Sequence, residues 1–127
     1  FPDSFIHFAA THRGATLYID RAQIEQVLIN LIKNAKESCG QNTAPQIEVE
    51  LEQVPGKVCS LTVRDNGEGI LPEVIDKVFV PFFTTKPSGS GIGLSLCKQI
   101  MNLHGGTITV SSEIGKGSCF TLMFPGR

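Results

Sequence analysis

Two short clusters rich in glycine constrain this chain more than any other feature, because glycine lets the backbone turn sharply and approach other groups closely. The first reads DNGEGI at residues 65–70, and the second reads GSGIGL at residues 89–94. The second cluster precedes an apolar segment with helical spacing. It would therefore open a helix whose free amide groups and positive dipole end favour a phosphate. No strand leads directly into it and no Gly-Lys-Ser/Thr follows, which argues against a dinucleotide fingerprint and a P-loop.

The hydrophobic pattern predicts two long helices and two antiparallel hairpins. An apolar stripe from Ile24 to Ala35 follows a capping-box pattern at Asp20 and Gln23. Segments with period-two alternation predict half-buried strands. The pattern indicates an α+β fold, a two-layer sandwich of a mixed, mostly antiparallel sheet with helices on one face. The predicted strands are 4–9, 15–19, 46–53, 57–64, 107–112 and 118–124, and the predicted helices are 20–40, 72–78 and 93–103.

Composition excludes several classes of function. Eleven Lys and Arg residues against twelve Asp and Glu give a formal net charge of −1, which offers no basic surface for nucleic acid. No apolar run approaches the ~20 residues of a membrane helix, and no signal peptide is visible. The four cysteines form no C-x-x-C pair, which favours free buried thiols in a reducing cytoplasm. We expect one cytoplasmic domain over residues 1–127, a fragment of a longer protein because it starts without Met.

Asn30 and Asn34 lie one helical turn apart, so their side chains point the same way beside the apolar stripe. A neutral amide oxygen is a hard ligand that suits Mg²⁺, which keeps several waters and shares phosphate oxygens. The alternative is ordinary polarity on a helix surface. Two asparagines at this spacing, ahead of the glycine clusters, favour the metal interpretation.

Asp65 ends a strand predicted to be buried, where an unpaired carboxylate would be costly. An ionised carboxylate only accepts hydrogen bonds, so an adenine amino group could pair with it. Gly67 and Gly69 would then allow the backbone to turn and approach the base. The alternative is a plain Asp-Asn-Gly turn.

An aromatic stretch lies between the glycine clusters, with Phe79, Phe82 and Phe83 around Pro81. These rings could support a loop that closes over a ligand, or they could form part of the core. The loop itself, residues 84–92, is rich in Thr, Ser, Gly and Pro and contains Lys86, which could reach a phosphate.

Together these segments resemble the catalytic and ATP-binding domain of bacterial two-component sensor histidine kinases. That domain belongs to the superfamily shared with DNA gyrase, the ninety-kilodalton heat-shock chaperone and mismatch-repair ATPases. Residues 30–35 match its N box, 65–69 its first glycine box, 78–83 its F box, 91–94 its second glycine box and 115–117 its last. The resemblance covers nearly the whole chain and implies the Bergerat-type ATP-binding fold.

The resemblance implies a role for each matched position. Asn34 would ligate Mg²⁺ with Asn30 assisting, both as catalytic residues, and Asp65 would bind the adenine amino group. Residues 84–91 would form a mobile ATP lid. Where other sensor kinases often have a basic or aromatic residue, three places after Asn34, this chain has Glu37, so Lys33, Lys36 or Lys86 would contact the phosphates. The implied nucleotide-binding residues are Lys33, Asn34, Asp65, Gly67, Gly69, Ile70, Phe82, Lys86, Gly89, Gly91, Ile92, Gly93 and Leu94.

The resemblance also indicates the reaction. In the ATPase branches, a glutamate four residues before the magnesium asparagine activates water. That position here is Asn30, which cannot act as a general base at neutral pH. Transfer of the ATP γ-phosphoryl group to a histidine is therefore favoured over hydrolysis. The acceptor histidine would lie on a helical dimerisation domain that we expect to be absent from this chain.

Two alternatives stay open at this point. One is an ATPase, or a serine kinase like the anti-sigma factors, with the same fold, and the other is a regulatory module that binds nucleotide without turnover. The expected partners are ATP or ADP with Mg²⁺, the acceptor-histidine domain of the same kinase and a downstream response regulator. No nucleic acid is expected, and the chain itself is expected to be monomeric.

Overall fold

The computed structural model describes residues 6–10, 20–40, 44–53, 59–83 and 93–125, with the backbone alone for the first of these segments. In the described part of the chain, no helix has the length and apolar character needed to cross a membrane. The elements in chain order are β1 (Ile6–Ala10), α1 (Arg21–Ser38), β2 (Ile47–Gln53), β3 (Cys59–Asp65), α2 (Pro72–Ile75), α3 (Gly93–Leu103), β4 (Thr107–Glu113) and β5 (Gly117–Phe124).

The strands form one mixed sheet in the order β1-β2-β3-β5-β4. β1 pairs with β2 in parallel, and every other described pair is antiparallel. The predicted hairpins are confirmed as β2–β3 and β4–β5, and so is the mostly antiparallel sheet. The strand predicted at 15–19 lies outside the described residues.

One face of the sheet carries the core, because inward residues alternate along each strand and line up across strands. Val63 lies in register with Val49 on one side and Phe120 on the other, and Phe120 continues the row to Val110. Both long helices pack on this face, which confirms the two-layer arrangement. Their buried residues are Ile24, Val27, Leu31, Ile32 and Ala35 from α1, and Cys97, Ile100 and Met101 from α3.

The ends of the helices follow from local hydrogen bonding. Asp20 caps α1 by accepting a 3.0 Å bond from the backbone N–H of Gln23, as the capping-box pattern predicts. His104 follows the last turn of α3, and its Nε2 atom accepts a 3.0 Å bond from the backbone N–H of Asp20. This bond joins the end of α3 to the start of α1, so the two helices share one anchor.

α2 is shorter than the predicted helix over 72–78. It ends at Ile75, and residues 76–79 continue as turns. The reason is a change to tighter bonding, since the N–H of Lys77 donates to the carbonyl of Val74 at 2.8 Å and that of Val80 donates to Lys77 at 3.0 Å. Such three-residue turns end a helix early.

Candidate functional site

Asp65 is a buried carboxylate at the end of β3. The residue is only 5% exposed, and it lies on the inner face of the sheet in register with Ile47 and Ser118. Its Oδ1 atom accepts a 2.9 Å hydrogen bond from the backbone N–H of Gly67. Burying a carboxylate is costly unless hydrogen bonds compensate. This bond therefore both offsets the burial and ties Asp65 to the turn that follows.

The first glycine cluster forms a turn that packs against two other parts of the protein. A Cβ atom on Gly67 would lie 2.3 Å from the Oγ atom of Ser38, at the end of α1. Gly69 has a φ of 81°, and a Cβ atom there would lie 2.5 Å from the carbonyl oxygen of Glu113. The predicted sharp turn is confirmed. The room that these glycines provide is taken by the protein's own backbone, and their contact with a base stays a prediction.

Asn66 fixes the loop that precedes β2, a role that sequence reasoning missed. Its Oδ1 atom accepts a 2.7 Å bond from the N–H of Gln46, and its Nδ2 atom donates to the carbonyl of Ala44 at 2.9 Å. The thiol of Cys39 donates to the same Oδ1 at 3.6 Å. Burial first, and then the charge of Asp65, raise the pKa of the Cys39 thiol. Asn66 thus connects the turn that follows Asp65 to the residues that precede β2.

Two serine hydroxyls lie in the same inward row as Asp65, and these too were missed. Ser118, 4% exposed, is the register partner of Asp65, and Ser112 is the register partner of Ser118. The Ser112 Oγ atom lies 3.0 Å from the Ser118 Oγ, 2.9 Å from the Gly117 carbonyl oxygen and 2.7 Å from the backbone nitrogen of Ile70. The sequence could have indicated both serines, because each occupies an inward-facing position in the alternating pattern of its strand, β4 for Ser112 and β5 for Ser118.

Asn30 and Asn34 are half-buried on α1, and Lys33 beside them is exposed. The Oδ1 atom of Asn30 accepts a 3.0 Å bond from the Nε2 group of Gln26, and its Nδ2 group donates to the carbonyl oxygen of Gly93 at 3.4 Å. A carbonyl cannot donate, so this contact fixes which end of the amide faces α3. The N box therefore meets the last glycine of the second glycine cluster, as expected for a site built from both.

The side-chain oxygens of Asn30 and Asn34 suit one kind of metal ion. Among the residues described, no group of three or more His, Cys, Asp or Glu side chains could hold one. The side-chain oxygens of Asn30 and Asn34 are neutral and hard, which fits a magnesium ion that takes its remaining ligands from water and phosphate. The arrangement fits Mg²⁺ brought with a nucleotide better than an ion held by the protein alone.

The three phenylalanines separate in the structure. The ring of Phe79 makes an edge-to-face contact with Phe120 at 6.2 Å between centroids, and the Nζ atom of Lys98 lies 5.6 Å from the Phe79 ring centroid. Phe82 is 75% exposed and has a φ of 67°, an uncommon conformation for a residue other than glycine. The alternative of a core cluster is right for Phe79 and wrong for Phe82.

Part of the predicted site lies outside the described residues. This part contains the predicted lid at 84–91 and four of the implied nucleotide-binding positions, Lys86, Gly89, Gly91 and Ile92. At the edge of that segment, Gly93 begins α3 and Leu94 is half-buried against the core. The structure thus brings together two groups. The first group lies at the end of the sheet and contains Asp65, Gly67, Gly69, Ile70, Ser112 and Ser118, and the second lies on the helices and contains Asn30, Asn34, Lys33 and Gly93.

Comparison with known proteins agrees with this geometry. The profile of the family described as histidine kinase-, DNA gyrase B-, and HSP90-like ATPase matches residues 19–127. Sensor histidine kinase ZraS of Escherichia coli (strain K12) is 38% identical over 120 residues, which are 94% of this chain and 25% of that protein. The chain thus spans about a quarter of the length of that relative.

Solved structures give the same result. The catalytic domain of histidine kinase ThkA superposes with a TM-score of 0.83 at 35% identity, covering 95% of this chain and 78% of that one. Histidine kinase ThkA in complex with response regulator protein TrrA superposes with a TM-score of 0.78 at 32% identity, covering 96% of this chain and 34% of that one. The chain therefore belongs to the family of histidine kinase-, DNA gyrase B- and HSP90-like ATPases, and its fold is that of the histidine kinase catalytic domains.

Proposed function

We propose that this chain is the ATP-binding catalytic domain of a sensor histidine kinase, and that it transfers the γ-phosphoryl group of ATP to a histidine on a separate helical domain. The observation that carries the proposal is Asp65, a 5% exposed carboxylate with one oxygen committed to the N–H of Gly67 at 2.9 Å. A carboxylate held in this way accepts hydrogen bonds and donates none. It complements a base that offers an amino group, as adenine does.

The base would lie against the row of polar residues at the end of the sheet. Asp65 would accept from the adenine amino group, and the hydroxyl of Ser118 lies beside it on the same face. The turn at Gly67, Gly69 and Ile70 borders this row, because Ile70 donates its N–H to Ser112 at 2.7 Å. Specificity for adenine would come from fixed groups of a rigid sheet, which need no reordering on binding.

The phosphates would lie towards the junction of α1 and α3. Asn34 is the principal magnesium ligand in this proposal, as its match to the N box implies, and it is half-buried on α1 beside Asn30. Asn30 assists, and Lys33 is an exposed cation on the same helix. The first turn of α3, at Gly93 and Leu94, would turn its amides toward the phosphates. Bound Mg²⁺ would neutralise part of the phosphate charge.

Other proposed contacts belong to the segment 84–92, outside the described residues. Residues 84–91 would form a lid that closes over the phosphates, with Phe82 next to its start. The positions in this group are Lys86, Gly89, Gly91 and Ile92.

Asn30 also separates the proposed kinase from an ATPase. Its amide donates to the carbonyl of Gly93 and accepts from Gln26, and an amide cannot take a proton from water at neutral pH. The site would therefore keep the γ-phosphoryl group for a side chain of a partner. A serine acceptor is the remaining alternative, since the acceptor would lie on the partner and not in this chain.

Two measurements test the proposal. Calorimetry should detect binding of ADP with Mg²⁺, and a lack of binding at millimolar nucleotide would overturn the nucleotide site. The chain should then be mixed with the helical domain of its own kinase and ATP labelled at the γ position. A label on that domain that is lost in acid and stable in base indicates phosphohistidine. An acid-stable label would indicate a serine kinase instead, and release of free phosphate alone would indicate an ATPase.

A further inference from the structure

Gln26 is an exposed residue of α1 that lies one helical turn before Asn30. Its Nε2 group donates a 3.0 Å hydrogen bond to the Oδ1 atom of Asn30. The Nδ2 group of Asn30 in turn donates to the carbonyl oxygen of Gly93 at 3.4 Å. Two hydrogen bonds of the same sense thus lead from the surface of α1 to the residue that opens α3.

Only one orientation of the Asn30 amide satisfies Gly93. After half a turn about its terminal bond, the amide would place its oxygen against the carbonyl oxygen of Gly93, and two acceptors repel each other. The bond to Gly93 at 3.4 Å is longer than an ordinary N–H···O hydrogen bond, so by itself it holds the amide weakly. The bond from Gln26 at 3.0 Å has an ordinary length and supports the same orientation. Gln26 therefore contributes much of what keeps the amide in place.

Cys97 supports the same orientation from the side of α3, where it lies one turn after Gly93. Its thiol donates to the carbonyl oxygen of Val27 at 3.8 Å, so its sulfur is left to accept. Burial raises the pKa of this thiol, and a hydrogen bond from the Asn30 side chain opposes that rise in pKa. Such a bond must come from the NH₂ end of Asn30, because only a donor favours the thiolate. The NH₂ end thus faces α3.

The orientation matters because Gly93 begins α3. In the proposed function, the first-turn amides of α3 face the phosphates, and Asn34 on α1 ligates Mg²⁺. The bond from Asn30 to Gly93 ties these two parts of the phosphate end together. The third phosphate of ATP extends further from the base than the second. It is therefore the phosphate that depends most on how α1 and α3 are joined.

We propose that Gln26 is a positioning residue for the γ-phosphate: it orients the amide of Asn30 so that the NH₂ group holds the first residue of α3. The proposal rests on the proposed function and adds to it a residue outside the N box. Gln26 contacts neither the nucleotide nor the metal in this arrangement. Its effect passes through Asn30, which separates it from residues that bind phosphate directly.

The test compares ADP with a non-hydrolysable ATP analogue, by calorimetry with Mg²⁺. Gln26→Met keeps the length without the donor, and it should lower the ratio of analogue affinity to ADP affinity about 3- to 10-fold, the value of one neutral hydrogen bond. Gln26→Glu should lower the ratio further, because a carboxylate only accepts and draws the NH₂ group of Asn30 away from Gly93. Gln26→Lys only donates and should preserve the ratio. Gln99→Met is the matched control at an exposed glutamine of α3, and it should also preserve the ratio.

A double-mutant cycle with Asn30→Ala separates positioning from charge and from helix stability. In the Asn30→Ala variant, adding Gln26→Met should leave the ratio unchanged, because no amide remains to be oriented. Adding Gln26→Glu should show only the effect of its charge. A loss from Gln26→Met that is the same with and without Asn30 would overturn the proposal. So would an unchanged ratio in Gln26→Met alone, or equal losses in the Lys and Glu variants, and each of these results would leave the nucleotide site standing. Failure of the wild type to bind ADP would instead overturn the proposed function.

Discussion

Replacing Asp65 by asparagine should weaken ADP binding strongly while leaving the fold intact. The asparagine oxygen can still accept the 2.9 Å bond from the N–H of Gly67, so the turn keeps its support. The other end of the side chain becomes an NH₂ donor that meets the amino donor of adenine. A hydrogen bond to a charged group contributes about 1.5–3 kcal/mol, which corresponds to a loss of affinity of about 10- to 150-fold.

The assay is calorimetric titration with ADP and Mg²⁺, paired with urea unfolding of the same samples. Asp76→Asn is the matched control, because it removes the same charge from an exposed position at the end of α2. We expect wild-type affinity for the control, and a change in the free energy of unfolding below about 1 kcal/mol for both variants. Unchanged ADP affinity in a folded Asp65→Asn variant would refute the assignment of Asp65 to the base.

Further substitutions probe the metal ligands, the glycine turn and the core. Asn34→Ala should weaken ADP binding about 10-fold or more with Mg²⁺ and less without it, and Asn30→Ala should act likewise but more weakly, by calorimetry with and without a chelator. Gly69→Ala should cost about 2 kcal/mol more than Gly115→Ala in urea unfolding. Both glycines have a φ near 80°, but a Cβ atom has open space only at Gly115. Burial raises the pKa of Cys97 to about 11. The unfolded thiol ionises first, so the free energy of unfolding should fall by about 2 kcal/mol, relative to Cys97→Ala, as the pH rises from about 9 to about 11.

Each of these expectations has an outcome that contradicts it. Equal losses with and without metal in Asn34→Ala would point to destabilisation of α1 rather than to a lost ligand. Similar costs at the two glycines would mean that the turn yields to a Cβ atom near the carbonyl of Glu113. A constant difference between the wild type and Cys97→Ala across the alkaline range would show that the thiol ionises as easily in the folded state as in the unfolded one.

The sequence predicts the elements of this fold well where the signal is local. The predicted helix over 93–103 agrees with α3, because a glycine opens it and two glycines follow its end. The cap at Asp20 is local as well. α2 was predicted too long, since the apolar residues from Pro72 to Val78 fit a helix and a run of tight turns equally well.

The parts that sequence could not predict depend on contacts between distant segments. Asn66 holds Ala44 and Gln46 across about twenty residues of chain, and the pattern of either segment alone does not indicate it. The pairing of Ser112 with Ser118 depends on the register of β4 and β5, which the turn at Gly115 sets. The exposure of Phe82 depends on a backbone angle of 67° that no residue pattern specifies. The sequence places Phe79, Phe82 and Phe83 close together around Pro81, and only the fold shows that Phe79 packs on Phe120 whereas Phe82 is exposed.

The two ends of the proposed site differ in how they are held, and this difference gives the substitutions separable effects. Asp65 and Ser118 belong to a sheet paired on both sides, so the base end is fixed before any nucleotide arrives. The phosphate end includes a 3.4 Å bond between Asn30 and Gly93, where α3 begins beside the proposed lid segment. Changes at the base end should therefore weaken ADP and ATP analogues alike. Changes at the bond between Asn30 and Gly93 should act mainly on nucleotides that carry a γ-phosphate, because those alone need the lid and the helix start together.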